Sequence, residues 1–256
     1  MYTKIKRQTL AIFILLFGMI ACSKTTDTDT TTSEDTPADN VDTTASTDSE
    51  WVFLFDGTNL DGWRKFNGDT LPENWIIEDG TLKSLGQGGD LAGDIVYADK
   101  EYGEFELALE WKISEGGNSG VFYHIIEDEK YHSPYENAPE YQVIDDIGFP
   151  QKLEDWQQLG ADYGMYVADS VKKKDLVKKA GEWNTTTIKF TNEKAEYWLN
   201  GEKMLEFEPW SEDWEKRKAE GKWKDYPDYG IAKKGLIGLQ DHGSFIWFKN
   251  IKIKEL

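Results

Sequence analysis

Residues 51–256 predict an all-β protein, a two-sheet antiparallel sandwich of the jelly-roll kind with short helical insertions. Three observations carry that expectation. Short runs of β-branched, aromatic and aliphatic residues recur along the chain, and Gly, Asn or Asp turns separate most of them. Phe105-Glu106-Leu107-Ala108-Leu109-Glu110-Trp111-Lys112-Ile113 alternates without a break, the period of a strand with one face in a core. Asn200-Gly201 lies between Tyr197-Trp198-Leu199 and Met204-Leu205, and that dipeptide tolerates the positive φ angles of a two-residue hairpin.

Taken in order, the strand-like runs fall at 51–55, 75–78, 81–84, 94–97, 105–113, 121–126, 141–144, 183–191, 194–199, 203–207, 235–240 and 246–253. In the run 105–113 the apolar odd-numbered residues should face inward. Two insertions are helix-prone, 153–158 and 211–220. In the second, Ser211 suits an N-cap, and Glu212 and Asp213 suit a first turn. Lys172-Lys173-Lys174 and Lys178-Lys179 read as a solvated loop. No repeat has a fixed period, and a stretch of this length can bury a sizeable core as one domain.

The chain opens differently. Lys4, Lys6 and Arg7 precede an apolar run over 10–21 that stops at Cys22, the single cysteine. The run is too short for a membrane span and fits the apolar region of a signal peptide. A small residue followed by Cys matches a bacterial lipobox, with Met19 standing where Leu is usual. The expectation is a lipoprotein signal peptide over 1–21 and a lipidated Cys22. Residues 22–50 would then form a disordered acidic tether of Thr, Asp, Ser and Glu, too poor in apolar residues to order itself. Ser23 after the lipidated Cys favours the outer membrane over the inner, on its periplasmic face or at the cell surface. With Cys22 spent, residues 51–256 offer no thiol for disulfides, metal ligation or nucleophilic attack. The net charge of −19 argues against nucleic acid as a partner and against membrane contact other than through the anchor.

The residues with chemistry gather in three strand-like stretches. Glu140-Tyr141-Gln142-Val143-Ile144-Asp145-Asp146 alternates so that Glu140, Gln142 and Asp146 share one face. Asn118, Gly120, Phe122 and His124 share a face of the 118–124 run, and Gln240 and His242 share one in Leu239-Gln240-Asp241-His242-Gly243. The chain has three histidines; two lie here, and His132 falls in the loop before the 140–146 strand. Scarce imidazoles beside amides and carboxylates mark a site. If the strands neighbour one another, Asn118, His124, Glu140, Gln142, Gln240 and His242 form one concave patch. With 11 Trp, 12 Tyr and 12 Phe, most aromatic rings must be core. Trp198 is the candidate to stack on a sugar face, and Trp210, Trp214 and Trp223 are candidates for a rim.

Phe55-Asp56-Gly57 through Leu60-Asp61-Gly62-Trp63, then Gly116-Gly117-Asn118-Ser119-Gly120, Glu140 to Asp146, Ala180-Gly181-Glu182-Trp183-Asn184, Trp198-Leu199-Asn200-Gly201 and Leu239 to Gly243 occur in an order that resembles one family. That family is the 3-keto-disaccharide hydrolase domain family, in particular its Bacteroidota lipoproteins, and the resemblance covers essentially all of 51–256. It implies a concanavalin-like jelly roll. It also implies cleavage of glycosides already oxidised at C3, by 1,2-elimination and in some members hydration of the resulting glycal. A partner sugar 3-oxidoreductase would then supply the 3-keto substrate.

The residue types suit that chemistry. A C3 ketone acidifies the C2 proton, so one positioned base and one acid for the departing oxygen suffice, with support for the enolate. An ordinary imidazole titrates near 6.5, which makes His124 and His242 candidate proton carriers. Glu140 and Asp146 complete the catalytic candidates. Asn118, Gln142, Trp198, Gln240 and Asp145 are the substrate-binding candidates. A divalent cation polarising the ketone would draw on His124, Asp146 and His242, although no short ligand-spacing motif is present. Two alternatives stay open: direct hydrolysis by two carboxylates, and a non-catalytic sugar-binding lipoprotein. Glu140 and Asp146, six residues apart on a regular strand, would lie about 20 Å apart at 3.3 Å per residue, too far to act as the two-carboxylate pair.

Overall fold

The computed structural model describes residues 50–87 and 93–256. The signal peptide, the lipidation of Cys22 and all but the last residue of the tether lie outside the described residues. Within them the strands are β1 Val52–Phe55, β2 Trp63–Lys65, β3 Trp75–Glu78, β4 Thr81–Leu85, β5 Ile95–Tyr102, β6 Phe105–Ile113, β7 Asn118–Ile125, β8 Glu140–Ile144, β9 Asn184–Phe190, β10 Ala195–Leu199, β11 Glu202–Phe207, β12 Gly235–Leu239 and β13 Phe245–Glu255. Two helices, α1 Ser170–Leu176 and α2 Glu212–Glu220, lie in the long connections.

All pairings are antiparallel, and they make two sheets. One runs β11-β10-β9-β6-β13-β4-β3, with β1 also paired to β13; the other runs β2-β5-β12-β7-β8. The two inner faces share one apolar cluster, so the protein is a jelly-roll sandwich. The odd residues of β6, from Phe105 to Ile113, are all buried while the even ones are not. Tyr123, Tyr141 and Val143 meet them from the five-stranded sheet. A smaller cluster of Phe66, Val96, Phe122, Ile125, Ala138 and Leu236 lies apart from this main core.

The predicted elements hold, with three local differences. β2 is only three residues long and carries no alternation to betray it; Trp63 anchors it by donating Nε1 to the Leu54 carbonyl at 2.7 Å. The helix-prone 153–158 insertion keeps one 3-10 turn, Asp155–Gln157. The chain beyond it is claimed by the free edge of β8, where Gly160 N donates to Gln142 O, Gln142 N to Ala161 O, and Tyr163 N to Glu140 O. The lysine-rich 172–174 segment is helix, not loop. Asp169 caps it by accepting from Val171 N and Lys172 N, and Lys173 is buried. In α2 the expected cap is present: Ser211 accepts from Trp214 N at 3.2 Å.

Candidate active site

β7 and β8 lie side by side at one edge of the five-stranded sheet, Gly120 opposite Gln142 and Phe122 opposite Glu140. With Tyr141 and Val143 in the core, Glu140 and Gln142 point to the outer face. Asn118 and Gly120 join them there. The turn after β12 is stitched to β7: Gln240 N donates to Gly120 O at 3.0 Å, Ser119 Oγ donates to Gln240 O at 2.7 Å, and Asn118 N donates to Ser244 Oγ at 3.1 Å. Behind that turn, Asp241 is fully buried. It accepts from Gly243 N and from the Asn74 amide, and its own N–H goes to Asp94 Oδ1 at 2.9 Å. Gln240 and His242 are thereby held over β7.

The result is a cavity of about 370 Å³ whose polar lining is Asn118, Glu140, Gln142, Gln240 and His242. Tyr135, Tyr163, Trp223 and Tyr226 line its aromatic side, with Lys222 beside them. Trp223 is locked: its ring lies 4.1 Å from that of Tyr229 at 10°, and Nε1 donates to Tyr163 O at 2.9 Å.

Two features of the floor bear on chemistry. Glu140, 4 % exposed, lies directly over Gly120: a Cβ on Gly120 would come 2.0 Å from Glu140 Oε1. The missing side chain at 120 is the space the carboxylate occupies. In addition, Asn118 Oδ1, Gln142 Oε1 and Gln240 Oε1 are buried acceptors with no hydrogen-bond partner among the described residues. A buried polar atom left unpaired costs about 1–3 kcal/mol, so three around one cavity form a surface ready for donors such as sugar hydroxyls.

Five of the nine sequence-predicted site residues therefore converge, and four do not. His124 is in the core. β7 advances three residues, Phe122 to Ile125, while β12 advances two, so β7 carries one extra residue. His124 sits at this bulge with φ 57°, which breaks the alternation that had placed it beside Gly120. Its ring packs 4.6 Å from Phe190 and 5.7 Å from Phe105, and Nε2 donates to Gly103 O at 2.8 Å. Burial lowers its pKa to about 4, against the pull of the Gly103 and Ala232 carbonyls. Asp146 pairs with the buried Lys173 at 2.6 Å and accepts from Leu159 N at 2.8 Å. Asp145 shapes the turn after β8, accepting from Gly116 N and Ile147 N. Trp198 stands on β10 opposite Thr187 and Lys203, in the other sheet. The three cation ligands suggested by the sequence, His124, Asp146 and His242, are thus held by different parts of the structure. Among the described residues no group of three or more His, Cys, Asp or Glu could hold a metal.

Of the rim candidates, Trp223 lines the cavity. Trp214 is buried against Tyr229, and Trp210 packs on Phe190. Tyr135, Tyr163, Lys222 and Tyr226 were not anticipated. They come from three connections with no periodic pattern, and only the excess of aromatic residues hinted at them.

A jelly roll with a floor of amides, one carboxylate and one imidazole beside a wall of aromatic rings is a carbohydrate-active protein. The particular family follows from comparison. Residues 50–254 match the family described as the 3-keto-alpha-glucoside-1,2-lyase-like domain, and the chain belongs to it. A 3-keto-disaccharide hydrolase of Bacteroides thetaiotaomicron is 34 % identical over 232 residues, 80 % of this chain and 78 % of that protein. Two crystal structures of provisionally named glycosyl hydrolases from Parabacteroides distasonis are similar as well. The first is 42 % identical with a TM-score of 0.74, covering 80 % of this chain and 94 % of the other. The second is 31 % identical with a TM-score of 0.61, covering 81 % and 100 %. The family is one of glycoside-cleaving enzymes.

Proposed function

We propose that this protein cleaves 3-keto glycosides by removing the C2 proton and expelling the C1 substituent. The observation that carries the reading is one carboxylate and one imidazole lining the same cavity as three amide oxygens that have no hydrogen-bond partner among the described residues. The three amides accept from the hydroxyls of one sugar ring and fix its pose over Glu140. Glu140, desolvated on the floor and fixed above Gly120, takes the C2 proton acidified by the adjacent ketone. The enolate collapses, the C1–O bond breaks, and His242 gives a proton to the departing oxygen. Between turnovers Glu140 releases the C2 proton to solvent and the half-buried imidazole takes one up, so the net proton count is unchanged and both groups are restored. The products are the free leaving group and a 3-keto-2-hydroxyglycal; addition of water across its double bond would give the free 3-keto sugar.

Direct hydrolysis by two carboxylates is less well supported, because among the described residues Glu140 is the one carboxylate lining the cavity. The lipobox at Cys22 supports a cell-envelope lipoprotein, anchored at the outer membrane. A sugar 3-oxidoreductase in the same compartment would supply the ketone.

The test is turnover of a 3-keto disaccharide and of its unoxidised parent in deuterated water. Cleavage confined to the keto form, with deuterium at C2 or a glycal intermediate, is expected. Equal release from the parent with no C2 exchange would overturn the reading.

A further inference from the structure

Resting on that reading, we infer that the leaving group occupies a second cavity across the aromatic wall and that it is a ring carrying a carboxylate. The second cavity, about 410 Å³, is lined by Trp156, Met165, Val167, Arg217, Glu220 and Lys222, with Gly164 and Gly221 between them. Lys222 lines both cavities. Its stem lies over Gly164 in the second, where a Cβ would meet Lys222 Cβ and Cδ at 3.2 Å. Its ammonium stands 5.3 Å from the ring of Tyr163 and 5.0 Å from that of Trp223, both walls of the first. The cation is therefore on the ridge between the two spaces, where the bond to the leaving group must pass.

The chemistry of the lining bears on the class of ligand. Trp156, Met165 and the exposed Val167 offer apolar surface, with the Trp156 ring held edge-on to Tyr163 at 5.2 Å. That surface suits the face of a six-membered ring. Arg217 is already committed: Nε pairs with Asp213 at 2.7 Å, Nη1 donates to Met165 O, and the guanidinium lies over Tyr166. Lys222 makes no ion pair among the described residues, so of the two cations in this lining it is the one left for a ligand; Glu220, the carboxylate of the lining, is exposed at the end of α2 and forms no ion pair with it. In a chain of net charge −19, an unpaired ammonium at the junction of two ligand spaces selects an anion. A uronic acid and an aromatic acid share the required chemistry.

The experiment compares 3-keto glucosides whose leaving groups differ by one carboxylate: phenol against 4-hydroxybenzoate, and glucose against glucuronate. KM is expected to be about two- to fivefold lower for the carboxylated member, the scale of one partly exposed ion pair. Lys222→Met, which keeps the stem, should erase that ratio. Val167→Glu, at an exposed position, should invert it. Whichever pair shows the preference identifies the source of the ring. Free 4-hydroxybenzoate, phenol, glucuronate and glucose are titrated in parallel by tryptophan fluorescence, which requires no turnover. Cleavage of keto substrates with no carboxylate preference, or a preference that survives Lys222→Met, overturns the inference and leaves the eliminase standing. Carboxylate-selective binding lost in Lys222→Met, without cleavage of any keto substrate, supports the subsite and overturns the eliminase.

Discussion

Gly120→Ala should disable the enzyme while leaving the fold intact. The new Cβ would lie 2.0 Å from Glu140 Oε1, 2.7 Å from Cδ and 2.8 Å from Cγ, where ordinary contacts begin at 3.4 Å. The carboxylate must therefore retreat by more than 1 Å. Gly120 is not among the positive-φ glycines, so alanine suits its backbone, and the group that has to move is the flexible end of a side chain. The cost to stability should stay near 1 kcal/mol, at the low end for an overpacked site. Catalysis is far less tolerant. A displacement of about 1 Å costs on the order of 10²-fold, and complete loss of a general base costs about 10²- to 10⁴-fold. The assay is kcat and KM on a 3-keto disaccharide beside thermal unfolding, with Glu140→Gln as reference. We expect kcat to fall about 10²-fold or more, KM to change little, and Tm to drop by no more than about 4 °C. A Gly120→Ala enzyme within threefold of the parent kcat would refute the placement of the base.

Asp146→Ala should act on stability and not on chemistry. It leaves the Lys173 ammonium, 6 % exposed, without its counter-charge and with Gln158 Oε1 at 3.0 Å as its remaining acceptor, and about 3–5 kcal/mol is the usual cost of breaking a buried pair; a large loss of kcat at a temperature where the variant is folded would return Asp146 to the site. Asp162 is fully buried with Tyr197 donating to it at 3.3 Å and Tyr123 bonded to Tyr197; the charges of Asp162 and Glu140 both reach Tyr229. Burial raises its pKa from 3.8 to about 8, against the Tyr197 hydrogen bond. The folded state thus keeps a proton that the unfolded chain releases, so this contribution is full below pH 3.8 and is lost as pH rises through about 8. Asp162→Asn, which can still accept from Tyr197, should raise Tm at pH 9 by about 4 °C or more and change it little at pH 5. Equal shifts at both pH values would show that Asp162 does not titrate with folding.

The sequence by itself determined the fold class, most strand positions and half of the site. The alternation of 105–113 could be read because an amphipathic strand buries every second residue wherever it is placed. For the same reason parity alone was enough to put Glu140 with Gln142, whereas Gln240 and His242 meet them from the turn after β12. Other features were decided only by the tertiary structure. One extra residue in β7, visible only against the register of β12, turned His124 from the pocket into the core. Asp146 went to Lys173 because α1 delivers that ammonium from 27 positions away. Tyr135, Tyr163, Lys222 and Tyr226 meet because separate connections fold over one sheet edge, a convergence set by packing between segments that carry no mark of each other in sequence. Period two is a property of a single strand; a bulge, a salt bridge and a wall of rings are properties of pairs of segments, and those pairs exist only once the chain has folded.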